Sequence, residues 1–202
     1  MEHEVIQLRG ESVFDRLQRS GPMPWVQSAR IGVTVADSLE SAHRRGQVHG
    51  CVRPQHILLG GDDRAVLGGF SELPDPARRA ESPDAIPQLL HTAPEVLDGD
   101  PPRPGADIYS LAATLHHLLT GHPPFPLRAQ DSFASWFIRI VTQPAPALPE
   151  HIPPGLRRLI GQALAKDRAD RPDSAAEFAA GLRRLLPGTC GVIPLRRRRH
   201  LR

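Results

Sequence analysis

SAHRRGQVHGCVRPQHILL, residues 41–59, is the stretch on which the reading of this chain turns. It ends a helical pattern at Gly46, gathers His49, Gly50, Cys51, Arg53 and Pro54 into one short loop, and enters the apolar run Ile57-Leu58-Leu59. A histidine, a thiol and an arginine just ahead of an apolar run look like a site. A packed loop could use the same residues, so the flanking sequence has to decide.

Upstream, Pro24 to about Arg45 reads as one long helix, with Val26, Ala29, Val33, Ala36, Leu39 and Ala42 near one face. Before it, residues 11–19 fit a short amphipathic helix broken at Ser20-Gly21-Pro22. Downstream, Ile57-Leu58-Leu59 and Ala65-Val66-Leu67 read as two short strands, with a hairpin turn at Gly60-Gly61-Asp62-Asp63. Asp62 and Asp63 suit turn chemistry there rather than a metal site. Residues 71–92 are polar and punctuated by proline, a long loop of the kind that is usually functional. DIYSLAATLHHLLT, residues 107–120, is apolar around most of its circumference, which predicts a buried helix. Three further helices are expected at 129–142, about 154–165 and 173–186. The fold class expected is mainly α within the α+β family, with one small β-hairpin and no internal repeat.

Composition narrows the function. The chain has 202 residues, 40% of them hydrophobic, with 22 Pro and 17 Gly. That allows one domain with a real core and many turns. A net charge of +3 is not a nucleic-acid-binding balance, and no nucleic acid partner is expected. Cys51 and Cys190 stand far apart without metal spacing, which favours a reducing, cytoplasmic setting. The opening MEHEVIQLRG does not read as a signal peptide. There is one lysine, Lys166, and no asparagine. His43, His116 and His117 lie on helical segments without a third ligand at metal spacing, and are expected to pack or face solvent. The tail carries Arg196, Arg197, Arg198, Arg199 and Arg202. It is expected to be a solvated, disordered end, with weak contact to an anionic membrane as the sharper alternative.

In their order, these pieces resemble bacterial serine/threonine protein kinases. SAHRRGQVHGCVRPQHILL is similar to the catalytic-loop region, AVLGGFSEL to the metal-binding segment, HTAPEVL to the Ala-Pro-Glu motif, ADIYSLAATLHHLLTGHPPF to the buried central helix, and ALAKDRADRPDSAAEF to the last two helices. Together they cover about residues 5–186. The resemblance implies a kinase-like C-terminal lobe at 11–187, with residues 1–10 as a remnant of the inter-lobe link and 188–202 as the basic tail. The small N-terminal lobe is then expected to be missing, with its Gly-rich loop and ATP-binding lysine.

Position by position, the resemblance implies lost chemistry. The His-Arg-Asp triplet reads His49-Gly50-Cys51, so the base position is a thiol, mostly protonated at pH 7. The lysine two residues on is Arg53. The metal-binding asparagine is His56, and magnesium prefers hard oxygen donors. Asp-Phe-Gly reads Gly69-Phe70-Ser71. A general base alone is worth about 10²–10⁴-fold, and here the base and both metal ligands are replaced together. What remains is structural by the resemblance: His49 and Phe70 in the core, Asp107 tying down the loop backbone, and Glu95 paired with Arg171. Cys51 is a reactive thiol or a small residue filling a vacated slot, and the second reading is favoured. Ser82 and Thr92 are candidate phosphorylation targets, Ser82 lying near Arg78 and Arg79.

The function expected is a catalytically inactive pseudokinase, without a cofactor, that binds a protein partner such as a kinase or a kinase substrate. The alternatives are an active kinase that uses ATP and magnesium with a small lobe from another chain, and a truncated kinase remnant.

Overall fold

The computed structural model describes residues 10–60, 64–70 and 89–188. Ser71, Ser82, the Asp62-Asp63 turn, Cys190 and the arginine tail lie outside the described residues, as does most of the 1–10 link. The chain enters through a two-residue strand, β1 (Glu11–Ser12), directly followed by α1 (Val13–Ser20). The helix expected from residue 11 therefore starts later. Ser12 Oγ accepts a hydrogen bond from the Asp15 amide at 3.0 Å, which makes Ser12 the cap and leaves residues 11–12 extended.

The long helix α2 (Trp25–His43) follows, then a 3₁₀ turn (Pro54–His56), β2 (Ile57–Leu59) and β3 (Ala65–Leu67). The sheet has three antiparallel strands in the order β1-β2-β3, one more than the hairpin expected. Glu11 stands opposite Leu59 and Ser12 opposite Leu58, while Leu58 stands opposite Val66. Next come the short α3 (Pro94–Leu97) and the central α4 (Pro104–Thr120). Helices α5 (Phe133–Thr142), α6 (Pro154–Ala163) and α7 (Ala175–Leu185) complete the described chain, with a 3₁₀ turn at Arg168–Asp170 between the last two.

Helix α4 is buried along its whole length from Ala106 to Leu119, as its apolar circumference requires. It ends at Gly121, whose φ of 85° closes the helix in the left-handed region. Helices α2 and α7 pack across it. At the crossing, a Cβ added to Gly32 would come within 2.9 Å of the Leu115 and Leu182 side-chain ends, which pack into the space the glycine leaves. Leu39, Leu111, Leu115, Leu118, Phe178 and Leu182 fill the core, each buried. Fully burying one such side chain is worth about 1.5–3 kcal/mol. A smaller cluster of Leu89, Phe125, Trp136 and Ile140 sits under α5, where the Trp136 indole N–H donates to the Phe125 carbonyl at 2.9 Å.

Helix α5 begins at Phe133, not 129. Ser132 Oγ accepts from the Ser135 amide at 3.2 Å and caps the helix there. Asp131 accepts from the Arg128 amide at 2.9 Å and from Arg139 at 2.5 Å, which holds the preceding turn out of the helix.

Candidate functional site

The 49–54 loop lies against the start of α4, and Asp107 organises it. Its carboxylate accepts from the His49 amide at 2.8 Å, the Gly50 amide at 2.7 Å and His43 Nε2 at 2.8 Å. Asp107 is fully buried, so these three donors are what makes a carboxylate tolerable there. Further along α4, the Thr114 hydroxyl donates to the Val52 carbonyl at 3.2 Å.

His49 is fully buried. Its Nδ1 accepts from the Cys51 amide at 3.3 Å, so Nε2 carries the proton that the Gly68 carbonyl receives at 2.7 Å. The Phe70 ring stands edge-on to it at 4.7 Å between centroids. These contacts clamp the 49–54 loop to the segment after β3.

Between the two segments sits His56. Arg53 Nε donates to His56 Nε2 at 3.1 Å, and His56 Nδ1 then donates to the Cys51 carbonyl at 2.7 Å. Both ring nitrogens are thus engaged by the loop itself. Gly69 abuts the same ring. Its φ is 82°, and an added Cβ would lie 3.0 Å from His56 Cγ. The position that a magnesium-binding carboxylate would need is therefore closed by backbone conformation and by the imidazole. The donor set does not fit magnesium: position 69 offers no oxygen side chain, and neither nitrogen of His56 is available. Cys51 is 7% exposed. Among the described residues, no group of three His, Cys, Asp or Glu side chains stands ready to hold a metal.

On the far side of α4, Arg171 joins four segments. Its guanidinium donates to Glu95 Oε1 at 2.7 Å and Oε2 at 2.8 Å, a bidentate pair. It also donates to the carbonyls of Ala165, Gly105 and Lys166, and lies 5.0 Å over the Tyr109 ring. Arg171 is 2% exposed, and all of its donors point inward.

Some features escaped the sequence reading. His91 and His117 stack at 5.2 Å and share a hydrogen bond at 3.0 Å between Nε2 and Nδ1. Burial, reinforced by His117 itself, holds His91 well below the ordinary histidine value. Burial brings His117 down to about 4. Thr92, next to this pair, is 4% exposed, so a kinase reaches its hydroxyl only if the segment opens. Arg139, buried on α5, pairs with Asp131. Lys166 lies 4.2 Å from the Phe125 ring centroid, and burial lowers its amine to about 8. An i,i+8 pair or a histidine contact spanning 26 residues leaves no periodic trace. The single lysine was visible, but its burial was not.

Among the described residues, no helix is long and apolar enough to cross a membrane. A protein kinase domain model matches residues 5–180. The chain is 38% identical over 170 residues to the serine/threonine-protein kinase PknK of Mycobacterium tuberculosis, covering 83% of this chain and 15% of that protein. It is 34% identical over 198 residues to the serine/threonine-protein kinase PkaB of Streptomyces coelicolor, covering 93% of this chain and 46% of that protein. With PknD of Mycobacterium tuberculosis the identity is 32% over 183 residues, 87% of this chain and 27% of that one. The chain therefore spans less than half the length of these relatives.

Proposed function

The chain belongs to the protein kinase domain family, within its serine/threonine branch, and from that premise we propose that it is a non-catalytic, pseudokinase-type module that acts by binding a protein partner. The observation that carries this reading is the closure around His56. In an active relative, the catalytic loop and the metal segment would face each other across magnesium and phosphate. Here Arg53 bonds the His56 ring, His56 bonds the Cys51 backbone carbonyl, and Gly69 lies against the ring. Phosphoryl transfer relies almost entirely on positioning and charge stabilisation. Arg53 Nε and both nitrogens of His56 are taken up within the loop, away from either task.

The partner part of the reading rests on surface chemistry. Leu127, Phe133 and Ile138 are exposed on α5 and its approach, and Val66 on the sheet. Such apolar groups suit a protein contact, and the partner class proposed is a kinase or a kinase substrate.

The test is a thermal melt with and without magnesium–ATP, paired with radiolabelled phosphate incorporation. Both are run on this chain and on any longer product that contains it. A ligand at about 100 times its Kd adds about 2.7 kcal/mol, or roughly 5–11 °C at this size. The expected result is an unmoved midpoint and no labelling above a Cys51→Ala control. An upward shift of that size, with labelling that the control lacks, would overturn the proposal.

A further inference from the structure

The single lysine of the chain lines a cavity of about 540 Å³ between α4, α6 and the segment that joins α5 to α6. Three cationic side chains line this space, Arg157, Arg158 and Lys166, together with His116, and no acidic residue is among its lining residues. Among the described residues, Arg157 Nε and Lys166 Nζ are buried with no hydrogen-bond partner, whereas His116, whose Nδ1 donates to the His122 carbonyl at 3.3 Å, is held neutral by burial. The remaining wall is mostly apolar, including Leu148 and Leu164.

Burying an unpaired donor costs free energy, and burying an unpaired cation costs more. The Phe125 ring, 4.2 Å from Lys166 Nζ, offsets part of that cost but accepts no hydrogen bond of ordinary strength. Arg171 shows what full satisfaction looks like: Glu95 and three carbonyls take up all of its donors. Two unpartnered cationic nitrogens on one cavity, with no acidic residue in its lining, describe a complement to something negative. The volume falls in the range of small-molecule sites, and the apolar wall asks for more than a bare inorganic ion.

We propose that this cavity binds a small organic monocarboxylate with a compact apolar body, its carboxylate held by Lys166 and Arg157 and its body against Leu148 and Leu164. The site is separate from the 49–70 loop and does not depend on whether that loop is catalytic.

The experiment is thermal shift and ¹H–¹⁵N chemical-shift titration of the 202-residue chain with benzoate and cyclohexanecarboxylate. Benzamide serves as the neutral isostere and inorganic phosphate as the bare anion. The expected result is a saturable upward shift with the two carboxylates, larger than with phosphate and absent with benzamide. Lys166→Met should weaken carboxylate binding about tenfold or more, as loss of a charge-assisted hydrogen bond does. It should also leave the ligand-free chain folded, because the substitution removes an unpaired buried charge. If Lys166→Met fails to fold, Leu148→Trp, which fills the apolar end, gives the second reading and should abolish the shift. An equal response to benzamide overturns the proposal. So do a phosphate response as large as benzoate's, a full response in either variant, and no saturable shift with both carboxylates.

Discussion

The 49–70 loop and the Glu95–Arg171 junction both rest on the first turns of α4, yet they use polar residues in opposite ways. In the loop, side chains bond their near neighbours: Arg53 to His56, His56 to the Cys51 carbonyl, the Cys51 amide to His49. At the junction, Glu95 and Arg171 tie together segments 76 residues apart, and Arg171 reaches Gly105 as well. At the positions that the kinase resemblance assigns to chemistry, Arg53 and His56 bond within the loop. Those that join distant parts of the chain retain the residue types that the kinase resemblance calls for. The contrast teaches that polar groups closing a local loop and polar groups joining distant segments form separable sets, as the proposed non-catalytic reading requires.

Breaking the junction should cost most. Arg171→Met alone, or Glu95→Ala alone, leaves a buried charge without its partner and should cost about 3–5 kcal/mol. For a chain of this size that lowers the melting midpoint by about 6–20 °C. A loss below about 1 kcal/mol in a urea titration would erase the contrast.

Asp107 bridges the two regions and comes next. Asp107→Ala strands the His49 and Gly50 amides, each worth about 1–3 kcal/mol when buried without an acceptor. A combined loss of about 2–6 kcal/mol is expected, with faster hydrogen exchange at those two amides.

The loop itself offers a sharper test. Gly69→Asp places a side chain at positive φ and against the His56 ring, at about 1–3 kcal/mol. The double variant His56→Asn/Gly69→Asp should lose less than Gly69→Asp, because the smaller side chain removes the clash. Equal losses would mean that the two positions do not interlock.

The smallest effect is a pH slope. His91 and His117 are both held below their ordinary value of 6.5, His117 at about 4. Between about pH 6.5 and 4 the unfolded chain binds more protons than the folded one. Their contribution is therefore fully present above about 6.5 and drains as the pH falls through that window. His117→Gln should flatten the dependence of the urea midpoint on pH over this range. An unchanged slope would show that the stacked pair does not titrate as described.

Much of this architecture was legible beforehand, and where reading failed the cause is local. The two longest helices carry periodic or all-round apolar signals, and both formed within a few residues of expectation. β1 was missed because two residues cannot show alternation and the Ser12 cap looked like helix interior. α3, four residues long behind Pro94, is too short for any period. At the site, the identities of Cys51, His56 and Gly69 were plain, and so was their departure from the kinase pattern. Their mutual bonding was not, because a hydrogen bond from Arg53 to His56 is a matter of rotamers. The cavity beside Lys166 was equally hidden, since it is built from residues between 116 and 166.

Helix α4 shows one more consequence. A helix that is apolar on every side gains the same burial whichever way it is turned, so hydrophobicity alone cannot index it. Each residue inserted would rotate the downstream face by about 100°. Asp107 and Thr114, seven residues apart, project to one side and meet the 49–54 loop, while Tyr109 under Arg171 and His117 at His91 project in other directions from the same cylinder. They act as keyways, setting a rotational phase that the greasy surface leaves open. One inserted residue within 108–113 would hold Asp107 in place and throw Thr114 and His117 out of phase, and the helix would stay buried while its neighbours lost their bearings.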